Sequence, residues 1–253
     1  MRALTVAMNT YREAVRDKIL YVLLFFAGAT ILASKALGYV SMGEDIKIIA
    51  DISLAAISIF GALIAIFVGT NLVYKEVDKR TIYTILSQPI WRYEFILGKY
   101  LGLALLIATT TGLMGLGAAV YIWMLGGDVN TAYFAAVLLI YCKLLLVTGL
   151  SVLMSTLTSP ILGAIIVLTT YFIGHATGIM LNLPAHFNGS FVKHAIETAY
   201  YLIPNLGHFD VWREYANGVA VPGAYIAWTI GYGALYTTML LFFAAVSFQD
   251  KDV

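Results

Sequence analysis

Charge is what this 253-residue sequence has least of: Asp, Glu, Lys and Arg together supply 11% of it. A soluble domain carries about a quarter. With a mean hydropathy of +0.87, the chain cannot cover a water-facing surface, so most of it is solvated by lipid. Cysteine is nearly absent as well. The single thiol, Cys142, lies inside an apolar run and excludes an internal disulfide framework. No Pro/Gly/Ser-rich linker, low-complexity tract or internal repeat interrupts the chain, which therefore reads as one integral membrane domain, residues 1–253.

The signatures of catalysis are also lacking. There is no H-E-x-x-H, no G-x-S-x-G and no cysteine pair spaced for zinc. "LGKY" at Leu97–Tyr100 has the Gly-Lys of a P-loop, but Tyr93 stands where the first Gly belongs and Tyr100 replaces Ser/Thr. No acidic pairs occur within the apolar runs to couple transport to protons or sodium. The expectation is a non-catalytic chain with no cofactor of its own, whose energy for any uphill work arrives from another subunit.

What is present is length of apolar sequence. About 20 apolar residues cross the hydrocarbon core as a helix. Six runs reach that length, at 19–41, 50–74, 97–125, 130–157, 160–182 and 222–248. They are continuous rather than alternating, which favours helices that satisfy their own backbone over a barrel. The expected fold is all-α and integral to the membrane. With the N-terminus inside, the cytoplasmic segments hold ten basic residues, Arg2, Arg12, Arg16, Lys18, Lys75, Lys79, Arg80, Arg92, Lys99 and Lys251. The outer segments hold four, Lys35, Lys47, Lys193 and Arg213. That asymmetry predicts cytoplasmic termini. In residues 1–18, Leu4, Met8, Tyr11 and Val15 recur at helical spacing, with Arg2, Asn9, Arg12, Glu13 and Arg16 elsewhere on the wheel. This is the pattern of a helix lying in the membrane interface. The apolar run after it is too long, and too poor in a small-residue cleavage site, for a secretory signal.

Between the second and third runs lies a polar island, "KEVDKRTIYTILSQPIWRYEFILGKY", Lys75–Tyr100. The charged stretch Lys75, Glu76, Asp78, Lys79, Arg80 precedes an apolar stripe of Ile82, Tyr83, Ile85 and Leu86. Pro89 then marks a break and a new helix start, which carries Trp91, Arg92, Tyr93 and Glu94 into the third run. The simplest reading is an interfacial hairpin with aromatic-belt anchors. Both charge signs crowded beside an apolar stripe suit a protein contact as well.

The island resembles the corresponding loop of type 2 ABC-transporter permeases, in Glu76, Thr81, Leu86-Ser87-Gln88-Pro89, Arg92 and Gly98-Lys99. The N-terminal helix resembles that family's connecting helix, "LSVLMSTLTSP" at Leu150–Pro160 its tight turn between spans four and five, and "LIPNL" at Leu202–Leu206 its outer re-entry before span six. The likeness extends over nearly the whole chain and is closest in flavour to the branch associated with multicopper-enzyme maturation. It implies six transmembrane helices, an N-terminal interfacial helix and a cytoplasmic coupling helix within 75–96. It also implies a second permease copy, identical or not, and a separate cytoplasmic ATPase that holds ATP and Mg. Glu76, Asp78, Arg80, Thr81, Tyr83 and Arg92 would be the ATPase contacts, with complementary charge setting register and aromatics anchoring. The location implied is the cytoplasmic (inner) membrane of the cell; lipid is the other partner, and nucleic acid is not one.

Two residues inside the runs stand out. Lys143 lies about 18 Å from the outer end of its run at 1.5 Å per residue, too deep to snorkel. It reads either as a packing residue facing an internal polar gap or as part of a translocation path. His175 sits in "GHATG" beside the Gly174/Gly178 spacing that lets helices approach closely. It reads first as a histidine hydrogen-bonded between helices, and by the resemblance as a second path candidate. His186, His194 and His208 share the outer segment 183–221 with Glu197, Asp210 and Glu214, but their spacings match no compact ligand set, so no metal site is assigned. That segment is expected to fold as two short helices about Pro204, with Tyr200, Tyr201, Phe209, Trp212 and Tyr215 at the membrane surface as a lid.

The leading expectation is the permease subunit of an ATP-driven exporter. A non-transporting membrane scaffold that uses the same island to grip an ATPase is the second. An ATP-independent carrier is the third.

Overall fold

The computed structural model describes residues 2–38, 45–78, 91–177, 203–217, 219 and 221–249. Among these residues every regular element is helical: α1 (Arg2–Val15), α2 (Lys18–Gly38), α3 (Asp45–Asp78), α4 (Arg92–Met124), α5 (Thr131–Leu157), α6 (Pro160–His175), a 3-10 turn (Leu206–Phe209), α7 (Trp212–Ala216) and α8 (Gly223–Gln249). Local chemistry sets several starts. The Asp17 carboxylate accepts from Ile19 N at 2.9 Å and separates α1 from α2. Asn130 Oδ1 accepts from Ala132 N and Tyr133 N at 3.1 and 3.2 Å to open α5. Pro160 occupies the first turn of α6, where its missing N–H costs nothing. Glu94 reaches back to Trp91 N at 3.2 Å to open α4.

Among the described residues five helices are long and apolar enough to cross a membrane: α2, α3, α4, α5 and α8. The run expected at 160–182 holds α6, whose 16 residues make about 24 Å, short of a hydrocarbon core of about 30 Å. Residues beyond 177 in that run lie outside the described set. At the other extreme α3 extends to Asp78 and α4 begins at Arg92. The two spans flanking the polar island thus continue as helix into its ends, past the expected limits of 74 and 97.

α3 and α5 form the centre of the bundle: 67% and 61% of an 18-residue apolar stretch in each is buried, against 22% and 28% in α2 and α8. Span hydroxyls are mostly satisfied by their own helix, as where Thr148 donates to Leu144 O at 2.7 Å and Ser151 to Val147 O at 2.9 Å.

On the first helix, small side chains make the closest contact with the bundle. Leu4 and Met8 are 69% and 43% exposed, whereas Ala7, Thr10 and Ala14 are buried. A small-residue stripe, one position round from the large apolar one, is what docks. It meets α4 at Gly98 and Gly102, where a Cβ would fall 2.8 Å from Ala3 O and 2.5 Å from Ala7 O respectively. Only glycine lets the two backbones come this close. Lys99, 1% exposed, lies beside this contact 4.0 Å from the Glu13 carboxylate. Leu4 and Met8 are left facing outward, where lipid is as good a solvent as protein, while Tyr11 and Val15 are partly buried against the core. Trp91 and Tyr93 stack at 6.4 Å near the same end of the bundle and are both exposed.

Candidate functional site

Lys143 and His175, on different helices, meet in space. Lys143, on α5, is fully buried. Its ammonium donates to Ser58 Oγ of α3 at 2.6 Å, to His175 Nε2 at the end of α6 at 3.3 Å, and to Asp210 Oδ1 at 2.5 Å. Its three N–H donors therefore have three acceptors, contributed by α3, α6 and the 203–217 segment. The Trp212 ring lies 4.8 Å from the same nitrogen and presents its electron-rich face to the charge.

The network also fixes the imidazole. His175 Nδ1 lies 2.7 Å from Tyr171 O, a carbonyl that can only accept, so Nδ1 carries the proton and Nε2 is left as an acceptor for Lys143. Asp210 Oδ2 lies 3.2 Å from that same Nε2. With neutral imidazole the centre is one ammonium against one carboxylate, with no net charge. The centre is thus electrically balanced in low dielectric. Ser58 and Tyr171 close the ring through their hydroxyls, 3.3 Å apart, either one donating.

The carboxylate reaches this depth because its segment enters the bundle. Lys143 is 12 residues into α5, about 18 Å along its axis, further than its side chain can reach. Leu206 and Phe209 are 1% and 0% exposed. Gly174 makes room for them: a Cβ there would fall 2.8 Å from Pro204 O and 2.9 Å from Leu206 Cγ. Gly174 thus faces the incoming turn, and Gly178, its partner in the expected helix–helix spacing, lies outside the described residues. The surface lid expected of this segment is corrected in its described part. Phe209 is core, and Trp212 lies against Lys143. Tyr215 packs on Tyr133 at 5.5 Å and donates to Asp128 O at 2.8 Å. Partial burial, with the Asp128 charge second, raises the Tyr215 phenol above its ordinary pKa and keeps it a donor. The rings turn inward because the segment has buried backbone to satisfy and a buried charge to meet. Tyr200 and Tyr201 lie outside the described residues.

Of the other selected residues, Glu76 and Asp78 fall in the last turn of α3 and Arg92 opens α4. Arg80, Thr81 and Tyr83 lie outside the described residues, as do His186 and His194. His208 is exposed, with its ring 6.3 Å from Tyr232. Among the described residues no three His, Cys, Asp or Glu side chains are grouped to hold a metal ion. Sequence reasoning missed Asp210, Ser58, Tyr171 and Trp212. Tyr171 had a signal, since it precedes His175 by four residues and so shares its helix face. Asp210 had only the general one that a buried lysine needs a counter-charge.

A comparison with curated proteins finds no match to this chain. The family described as ABC-2 family transporter protein matches residues 4–253. That span takes in every described helix from the docked first one to α8, so this multi-pass membrane chain belongs to the ABC-2 family of transporter proteins.

Proposed function

We propose that the chain is the membrane-spanning permease subunit of an ATP-driven ABC transporter, an exporter of the cytoplasmic membrane with both termini in the cytoplasm. The observation that carries this reading is a family match over residues 4–253 in a chain with no complete phosphate-cradling loop. ATP and Mg would then be bound, and ATP hydrolysed, by a separate cytoplasmic ATPase, and this chain would be non-catalytic. A second permease copy would cover part of the exposed apolar surface, and lipid the rest. In this reading α6 and the residues after it form the sixth span.

The ATPase would grip 75–96 through Glu76, Asp78, Arg80, Thr81, Tyr83 and Arg92. The helix geometry suits that role. Force applied at the end of α3 travels along a continuous helix from Asp78 to Ser58, about 30 Å at 1.5 Å per residue, and arrives at the Lys143 centre. Closure of the ATPases would in this way act on the contact that holds the 203–217 segment in the bundle. Lys143 and His175 would then lie where the path opens to the outer face.

The test is a pull-down of the tagged chain from its native membranes in mild detergent, with Glu76→Lys and Arg80→Glu in parallel. The expected result is a Walker-motif ATPase that accompanies the native chain and is lost with either reversal. A native complex without any ATPase overturns the reading and favours an ATP-independent carrier.

A further inference from the structure

Between the 203–208 turn and the first half of α8 lies a cavity of about 490 Å³, within the range of small-molecule sites. One wall is a single face of α8, on which Tyr225, Trp228, Tyr232 and Tyr236 follow one another at three- and four-residue steps. The facing wall includes Asn205 and His208 of the turn that leads to Asp210. Trp228 is 80% exposed, so the mouth opens sideways at the lipid-facing surface of α8 rather than into the bundle. From Tyr225 to Tyr236 the site descends about 16 Å along the helix at 1.5 Å per residue. A polar upper end therefore gives way to an aromatic lower one.

The walls are held in place before any ligand arrives. Tyr225 donates to His208 O at 2.9 Å, Asn205 N donates to the Tyr232 hydroxyl at 2.9 Å, and the Tyr232 and Tyr236 rings lie 5.9 Å apart. Among the described residues no Lys, Arg, Asp or Glu lines the cavity. Four aromatic rings, Tyr225, Trp228, Tyr232 and Tyr236, line it instead, and their negative faces meet no basic group among the described lining residues. That field repels anions and attracts a weakly hydrated cation, which aromatic faces bind.

We infer that this cavity binds an amphiphilic organic cation, an ammonium group with a single apolar tail, entering from the lipid side. The ammonium sits at the upper end among the rings, and the tail lies along Trp228 and towards Tyr236. As a cargo site it rests on the permease reading; as a binding site it does not. Its occupant touches the same short turn that carries Asp210, so occupancy and the Lys143–Asp210 contact share one element.

The test uses the purified full-length chain in maltoside micelles and isothermal titration with decyltrimethylammonium. The native chain is expected to show saturable binding, weakened about tenfold by Trp228→Ala and restored by Trp228→Phe. Because Trp228 is 80% exposed, its truncation removes little packing, and the Phe variant separates loss of the ring from loss of the fold. Decyl sulfate is expected to show only partition into the micelle. Equal binding of the sulfate overturns the charge assignment, and an unchanged signal in Trp228→Ala, or none in the native chain, overturns the site. Displacement by added phosphatidylcholine overturns the single-tail cation in favour of a resident two-tailed lipid. No ATPase is present, so a failure here leaves the permease reading standing, and loss of the ATPase partner would leave this site standing.

Discussion

Asp210 and Lys143 are 67 residues apart in the chain and 2.5 Å apart in space. The contact ties a segment that enters the bundle from one end to a fully buried ammonium. Its two sides are unequal. Lys143 is 0% exposed and Asp210 16%, so the carboxylate keeps some access to its surroundings while the ammonium has none.

That inequality gives the first prediction. Asp210→Asn strands a buried ammonium and is expected to cost about 3–5 kcal/mol. Lys143→Met leaves a carboxylate that is 16% exposed rather than fully buried, and is expected to cost less, about 1–3 kcal/mol. The pair Lys143→Met with Asp210→Leu is expected to recover most of the loss. Equilibrium unfolding in mixed micelles measures all three. If Lys143→Met proved as damaging as Asp210→Asn, the unequal burial of the two charges would not govern the cost.

A second prediction concerns how the carboxylate is delivered. A Cβ at Gly174 would lie 2.8 Å from Pro204 O, so Gly174→Ala must displace the turn, at about 1–3 kcal/mol. Because the displaced turn carries Asp210, the double variant Gly174→Ala with Asp210→Asn is expected to cost less than the two single losses together, by about 1 kcal/mol. Simple additivity in the double-mutant cycle would show that Gly174 packs independently of the charged centre.

The first helix supplies a third. At Gly102 a Cβ would fall 2.5 Å from Ala7 O and 2.6 Å from Thr10 Cβ, so Gly102→Leu is expected to lift α1 from α4. Trypsin cleavage at the exposed Arg12 and Arg16 should then accelerate about tenfold, as local opening becomes easier. An unchanged cleavage rate would mean that contacts other than the glycine seam hold the helix.

The fourth tests orientation. In a Cys142→Ser background, Asp128→Cys sits at the turn between α4 and α5, and Arg12→Cys on α1 at the opposite end of the bundle. A membrane-impermeant maleimide added to intact cells is expected to label the first and spare the second. The reverse pattern would invert the assignment read from the basic residues.

Much of the helix plan was legible because length and continuity are enough to announce a lipid-solvated helix. The 130–157 and 222–248 runs match α5 and α8 within a residue at each end. The polar character of the island hid that α3 continues to Asp78, since a helix leaving the membrane loses its apolar signal while keeping its hydrogen bonds; on the other side, the helix start expected after Pro89 is met by α4, which begins at Arg92. Lys143 was conspicuous for the same physical reason that the runs were: a charge deep in an apolar run is costly wherever it faces.

Sequence alone determined that the chain is helical, that it lives in lipid, and that Lys143 would need a partner. Tertiary structure decided which partner. Asp128, Glu197, Asp210 and Glu214 all stand in connecting segments expected on the same side, and nothing in their spacing ranks them; only the entry of the 203–217 segment past Gly174 brings Asp210 to the ammonium. It also decided that α1 docks by Ala7, Thr10 and Ala14 rather than by Leu4 and Met8. In water an apolar stripe marks the buried face. In lipid the surroundings are as apolar as the core, so large side chains gain little by turning inward, and small ones that let backbones approach decide the contact.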